Sequence, residues 1–177
     1  PGSDFFKVME KEIGHLPFIA EDLGEITPEV YALRDEFKLP GMKVLQFAFG
    51  DDMAQSIHIP HNYPVNCYTY TGTHDNNTLI GWFENEADAQ NLKRLKQYTG
   101  KKISAENLNW TLIELAYASV AKTVMMPMQD IFGEDEKARM NTPASTNLNW
   151  SWRMLPGNLN KQLQKKLKKM ALFYNRA

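Results

Sequence analysis

Four short apolar runs, separated by stretches with helical spacing, constrain this chain's fold more than any other feature. They lie at residues 16–20, 42–49, 65–71 and 123–128. Each is too short for a helix of ordinary length and apolar enough to read as a strand buried on both faces. Helices fill the intervals. Ser3 or Asp4 can cap a first helix that runs to about Ile13 and stops at Gly14. Thr27-Pro28-Glu29 starts a second, which continues to about Phe37. Residues 79–98 carry a helical pattern broken near Asn85 and halted by Gly100, followed by further helices at 106–119 and 159–174. Buried strands alternating with helices call for parallel pairing and right-handed crossovers. The expected class is therefore α/β, with about four parallel strands in an open sheet or half a barrel. A complete eight-stranded barrel usually takes about 250 residues, and 177 are present.

That length suits one core, so residues 1–177 are expected to form a single domain. The formal charge of -1 gives no net field to attract a polyanion, which argues against a nucleic-acid partner. The five lysines at 161, 165, 166, 168 and 169 line one face of the last helix and read as a solvated surface. Cys67 is the sole cysteine, so an intrachain disulfide is excluded and a reducing compartment is expected. No apolar run approaches the roughly 20 residues needed to span a bilayer. A soluble, cytoplasmic protein is the expectation. A chain that opens at Pro1 without an initiator methionine also reads as an excised piece, from which an upstream targeting segment could have been lost.

Polar residues cluster where three of the runs end. Glu21-Asp22 follows the first, His74-Asp75 the third and Gln129-Asp130 the fourth, while the run starts carry prolines, glycines and turn residues. In parallel α/β folds the ligand site lies beyond the C-terminal ends of the strands. Carboxylates on strands two apart have backbones roughly 10 Å apart, close enough for their side chains to meet across one sugar ring. Glycoside chemistry uses such an arrangement, with one protonated carboxyl and one or more ionised ones. Position alone makes Glu21 and Asp75 the candidates. It leaves open a helix-flanking acid for Glu21 and an Asx-type turn for Asp75.

At these residues the chain resembles the amylomaltase and disproportionating-enzyme family of 4-alpha-glucanotransferases. Ile19-Ala20-Glu21-Asp22-Leu23-Gly24 with Ile26-Thr27-Pro28-Glu29-Val30 is similar to the family's strand-five motif, and Leu39-Pro40-Gly41 through Phe49 to its strand six. Tyr70-Thr71-Gly72-Thr73-His74-Asp75-Asn76 is similar to strand seven. Gln129-Asp130, Arg139-Met140-Asn141 and Asn149-Trp150-Ser151-Trp152-Arg153 resemble the strand-eight region. The resemblance implies the C-terminal half of a TIM (β/α)8 barrel. It makes Glu21 the general acid/base and Asp75 the second acid, which steadies the transition state through sugar hydroxyls. His74, Asp22 and Asn141 become substrate-binding residues, with Asp22 either positioning Glu21 or lining the site. Trp150 and Trp152 are expected to pack or to stack on glucose, and Arg139 and Arg153 to tie down the long loop or touch substrate. No cofactor and no metal are implied, and His58 and His61 lack partners for a metal.

The family retains configuration, so the resemblance also implies a carboxylate nucleophile at the end of strand four, outside these residues. Asp4 is expected only to cap a helix. The parent protein is thus expected to pass alpha-1,4-glucan segments between maltooligosaccharides by double displacement. The isolated chain is expected to be inactive and to self-associate or to pair with the missing N-terminal half. A noncatalytic, glucan-contacting half-barrel and a fragment of an alpha-amylase-like hydrolase are the alternatives.

Overall fold

The computed structural model describes residues 1–15 and 17–177. Parallel pairing is realised over three strands, β1 (Gly41–Val44), β2 (Cys67–Tyr70) and β3 (Thr123–Met125), adjacent in that order. Met42 lies opposite Tyr68 and Val44 opposite Tyr70, and Tyr70 in turn lies opposite Met125. The helices are α1 (Gly2–Ile13), α2 (Pro28–Glu36), α3 (Leu79–Asn85), α4 (Ala89–Thr99), α5 (Leu108–Ala118), α6 (Met128–Phe132) and α7 (Lys161–Phe173). Among the described residues no helix is long and apolar enough to cross a membrane.

The structure corrects three readings of the apolar runs. Of the strand expected at 16–20, Leu16 lies outside the described residues, and residues 17–20 join no ladder. Pro17 has no N–H to give. Ala20 donates one backbone bond to the Pro40 carbonyl at 2.8 Å. The N–H of Met42 then finds the carboxylate of Asp22 at 2.6 Å, so a side chain stands where a neighbouring strand's carbonyl would.

The run at 42–49 is not one strand either. It leaves the sheet after Val44 and turns through a 3-10 helix at Leu45–Phe47. That turn sends Leu45, Ala48 and Phe49, at i, i+3 and i+4, to one side, where all three are fully buried. His58 closes the strand end, its Nδ1 accepting the Val44 N–H at 3.1 Å. The third correction concerns the last run. β3 ends at Met125, and Gln129-Asp130, expected in a loop, stand on the short helix α6.

The expected helices form close to their predicted bounds. The break near Asn85 is fixed by a capping box. Asp88 accepts the N–H groups of Gln90 and Asn91, and Asn91 accepts that of Asp88 in return. Gly100, at φ 66°, ends α4 in the left-handed conformation. α1 begins at Gly2, one residue before the expected caps, and Ser3 bonds Glu36 of α2 at 2.9 Å instead.

Phe49, Leu79, Leu95, Leu108 and Leu112 have no exposed surface and form the main core together with Val124 of β3. Each fully buried side chain of this size contributes about 1.5–3 kcal/mol. Alternation puts Met42, Tyr70 and Met125 on the opposite face of the sheet, and these three line a cavity. Asp22 anchors the segment before α2. It is 2% exposed and pairs with Arg34 at 2.5 Å and with Lys43 at 3.9 Å. Gly41 lets it come so close, since a Cβ there would stand 2.2 Å from Asp22 Oδ2.

Candidate active site

The cavity, about 480 Å³ in volume, opens beyond the C-terminal ends of the three strands. Glu21 and Leu23 border it from the segment leading to α2, residues 72–74 and 76–78 from the loop leaving β2, Met126 and Pro127 from the turn after β3, and Gln129 and Asp130 from α6. Arg139 and Met140 of the long loop complete the wall. Polar groups therefore meet where a parallel sheet delivers its loops.

The loop from β2 to α3 turns at His74 and Asp75, and other groups close the turn, so that the side chains of these two residues are not used in it. Asn76 makes the turn bonds, its Oδ1 accepting both the N–H and the hydroxyl of Thr73 at 2.9 Å. Gly72 is required because a Cβ would meet Nε2 of the buried Gln46 at 2.6 Å. That Nε2 donates to the Asn77 carbonyl at 2.8 Å, which fixes the far end of the loop. The loop thus presents His74 and Asp75 with their side chains about half exposed.

The strand-eight region folds back onto this pair. Nδ2 of Asn141 donates to Asp75 Oδ1 at 2.6 Å, and the Asn141 backbone N–H bonds the His74 carbonyl at 3.1 Å. His74 Nε2 stands 3.3 Å from Asp75 Oδ2. Arg139 donates from Nη2 to the Asp75 carbonyl at 2.8 Å and from Nε to the Asn141 carbonyl at 3.0 Å. The Trp150 ring lies 5.0 Å from that of His74, while Trp152 donates its indole N–H to Glu134 at 2.7 Å. Arg153 bonds the carbonyls of Trp150 and Trp152, within the loop itself.

The structure thus brings Asp75, His74 and Asn141 together, with Glu21 exposed and lining the adjoining cavity. Asp75 is not part of the cavity wall, although its neighbours His74 and Asn76 are. Asp22 points elsewhere, into the buried contact with Arg34 and Met42. His58 and His61 are engaged separately, by the Val44 N–H and by the Tyr98 hydroxyl at 3.1 Å.

Sequence reasoning assigned no role to Asp130 or Gln46. Asp130 borders the cavity but is 1% exposed, and burial pushes its pKa up to about 6 against the opposing bonds from Thr71 and Leu79. Its position at the end of an apolar run was visible. Its burial was not, because polar residues after a strand look alike whether they face ligand or hold a loop.

Comparison with known proteins gives the family. The family model described as 4-alpha-glucanotransferase matches residues 1–159. The 4-alpha-glucanotransferase of Synechocystis sp. is 46% identical over 99% of this chain and 35% of its own length. That of Thermus thermophilus is 43% identical over 97% of the chain and 35% of its own length. The chloroplastic/amyloplastic 4-alpha-glucanotransferase of Arabidopsis thaliana, 44% identical over 87% of the chain, shows that the relatives do not share one compartment. The amylomaltase from Streptococcus agalactiae in complex with acarbose superposes with a TM-score of 0.92 at 36% identity, covering all of this chain and 35% of that one. The chain spans about a third of the length of these bacterial relatives. On the match over most of its residues, it belongs to the 4-alpha-glucanotransferase family.

Proposed function

We propose that this chain supplies the acid/base portion of a retaining transglucosylation site and forms the C-terminal part of a TIM barrel. The observation that carries the reading is that Glu21 and His74 line one cavity at the strand ends while the Asn141-held Asp75 stands beside His74 at its edge, in a chain of this family. The substrate class is an alpha-1,4-glucan. The acarbose complex of the S. agalactiae amylomaltase supports a sugar-shaped site.

In the first step Glu21, protonated, gives its proton to the glycosidic oxygen as that bond breaks, and a carboxylate nucleophile from outside these residues bonds the anomeric carbon. In the second, Glu21 takes the proton of an acceptor sugar's hydroxyl, which attacks the same carbon and releases the carboxylate. One glycosidic bond is broken and one made. Asp75 accepts hydrogen bonds from hydroxyls of the reacting ring, which strengthen as positive charge develops there. Asp22 acts at a distance by holding the segment that carries Glu21.

The test is incubation with maltotriose, reading glucose together with longer maltooligosaccharides. Protein carrying the full span of its relatives is expected to form both, and Glu21→Gln to lower the rate at least about 1,000-fold. The isolated chain is expected to form neither. Glucose and maltose without longer products would indicate hydrolysis and overturn the transfer reading. Full activity in Glu21→Gln would remove the acid/base assignment.

A further inference from the structure

We propose that Asp130 is a positioning residue for the loop that carries His74 and Asp75, and that it works by holding both ends of that loop with one carboxylate. Oδ2 accepts the hydroxyl of Thr71, the residue after β2, at 2.5 Å. Oδ1 accepts the backbone N–H of Leu79, the first residue of α3, at 2.8 Å. Everything between those two anchors is the segment 72–78, which presents His74 and Asp75. Asp130 is itself held from behind, since Nδ2 of Asn109 on α5 donates to its carbonyl at 2.9 Å.

The chemistry suits a carboxylate. Both partners are donors, and an ionised carboxylate is an acceptor only, so one side chain satisfies two groups facing each other across the mouth of the loop. Burying an acid at 1% exposure is costly without such partners, so its placement here is informative. Its bonds reach only the ends of the loop, and its effect on the reacting sugar passes through the loop's geometry. Displacing a reacting group by about 1 Å can cost on the order of 100-fold in rate.

This assignment rests on the transglucosylation reading for its kinetic consequence, but not for its structural one, and the two are measured separately. Asp130→Ala, Asp130→Asn, Thr71→Val and Thr71→Ser are made in the protein carrying the full barrel. Hydrogen exchange followed by mass spectrometry is read on peptides covering 71–79 and, as a control, on α5. In Asp130→Ala the loop peptide is expected to exchange at least tenfold faster with α5 unchanged. Asp130→Asn, which keeps an acceptor for the Leu79 N–H and a polar group beside Thr71, is expected to stay within about threefold of the parent.

With maltotriose, Asp130→Ala is expected to lower kcat at least 30-fold with KM within threefold. Thr71→Val should lower kcat about fivefold, and Thr71→Ser should restore it. A residue that only stabilises the fold would lower the melting temperature and leave kcat per folded molecule unchanged. If Asp130→Ala does not fold, the Thr71 pair decides by the same two readouts. Parental exchange in the loop of folded Asp130→Ala, or in Thr71→Val where the alanine variant is lost, would overturn the proposal. So would an asparagine variant as loose as the alanine one. Absence of glucan transfer in the parent would remove the functional reading and leave the exchange result to judge the positioning.

Discussion

Asn141 and Asp75, 66 positions apart in the sequence, are joined by a 2.6 Å hydrogen bond from amide to carboxylate, which couples the long strand-eight loop to the residue expected to meet the sugar. A hydrogen bond to a charged group contributes about 1.5–3 kcal/mol. Asn141→Ala is accordingly expected to lower kcat/KM for maltotriose roughly 10- to 100-fold. Asn141→Asp sets two carboxylates face to face and is expected to do worse at pH 7 and to recover partly as the pH is lowered. Steady-state kinetics at two pH values checks both.

Asp22 gives a prediction about stability. Asp22→Ala leaves Arg34 and the buried Lys43 without their shared counter-charge and removes the acceptor of the Met42 N–H. The expected loss is about 3–5 kcal/mol, read as an earlier midpoint in urea unfolding. Asp22→Asn keeps the acceptor and is expected to lose less. Activity should fall with either variant, because the strand-edge contact that orders the Glu21 segment is weakened.

Two groups, the partly buried His58 and the buried Asp130, are expected to oppose each other in the pH dependence of stability. Burial, aided by nearby Lys43, lowers the pKa of His58 from 6.5 to about 4. Its neutral form accepts the Val44 N–H, a role the protonated ring cannot fill. Between pH 6.5 and 4 the unfolded chain therefore binds more protons at this site, and stability falls as the pH drops. Asp130 runs the other way. Its pKa is raised from 3.8 to about 6, so the folded state holds the extra proton and stability falls as the pH rises across that window. Asp130→Asn is expected to expose the acid loss caused by His58, and His58→Gln to leave the alkaline-going loss caused by Asp130. Urea unfolding at pH 4.5 and 7 distinguishes them.

The isolated chain is expected to associate. Met125 is 45% exposed on the cavity face of the sheet, and Phe5, Val8 and Ile13 of α1 are each more than half exposed. Among the described residues β1 and β3 each pair with a strand on one side only. Open sheet edges and uncovered apolar surface favour contact between copies. Sedimentation at increasing concentration should show species above monomer. A monodisperse monomer at 100 μM would refute the expectation.

Much of this fold was legible where periodicity and caps agree. α3 and α4 separate where the helical pattern weakens near Asn85, and Gly100 stops α4 as its freedom at positive φ allows. α5 and α7 follow their apolar spacing to within two residues of the expected ends. Less legible was how an apolar run divides between strand and turn. Residues 42–49 are mostly apolar, with Lys43 and Gln46 the exceptions, because a strand and a 3-10 turn both bury their side chains, and burial alone does not mark the change at Val44. The strand expected at 16–20 was misjudged for a related reason. Its place beside β1 is taken in part by the Asp22 side chain, which accepts the Met42 N–H, and a carboxylate acting as a strand neighbour leaves no period in the sequence.

The candidate site was legible as residue types at run ends, and the structure collects His74, Asp75 and Asn141 from loops that only a parallel sheet brings to one side. The Asn76 turn accounts for the open alternative at Asp75, since the turn is closed by the following residue. Asp130 and Gln46 received no role because much of their work is done on backbone groups, the Leu79 N–H and the Asn77 carbonyl, which carry no letter in the sequence.

The 2.2 Å separation between Asp22 Oδ2 and the place a Cβ would occupy on Gly41 reaches beyond stability. It makes these two positions a single heritable unit. A lineage that changes Gly41 must first shorten or remove the acid at 22, and one that loses the acid frees the glycine to drift. Among descendants of this sequence, a replacement of Gly41 should appear only where the acid at 22 has also changed, although eighteen residues lie between them in the gene product.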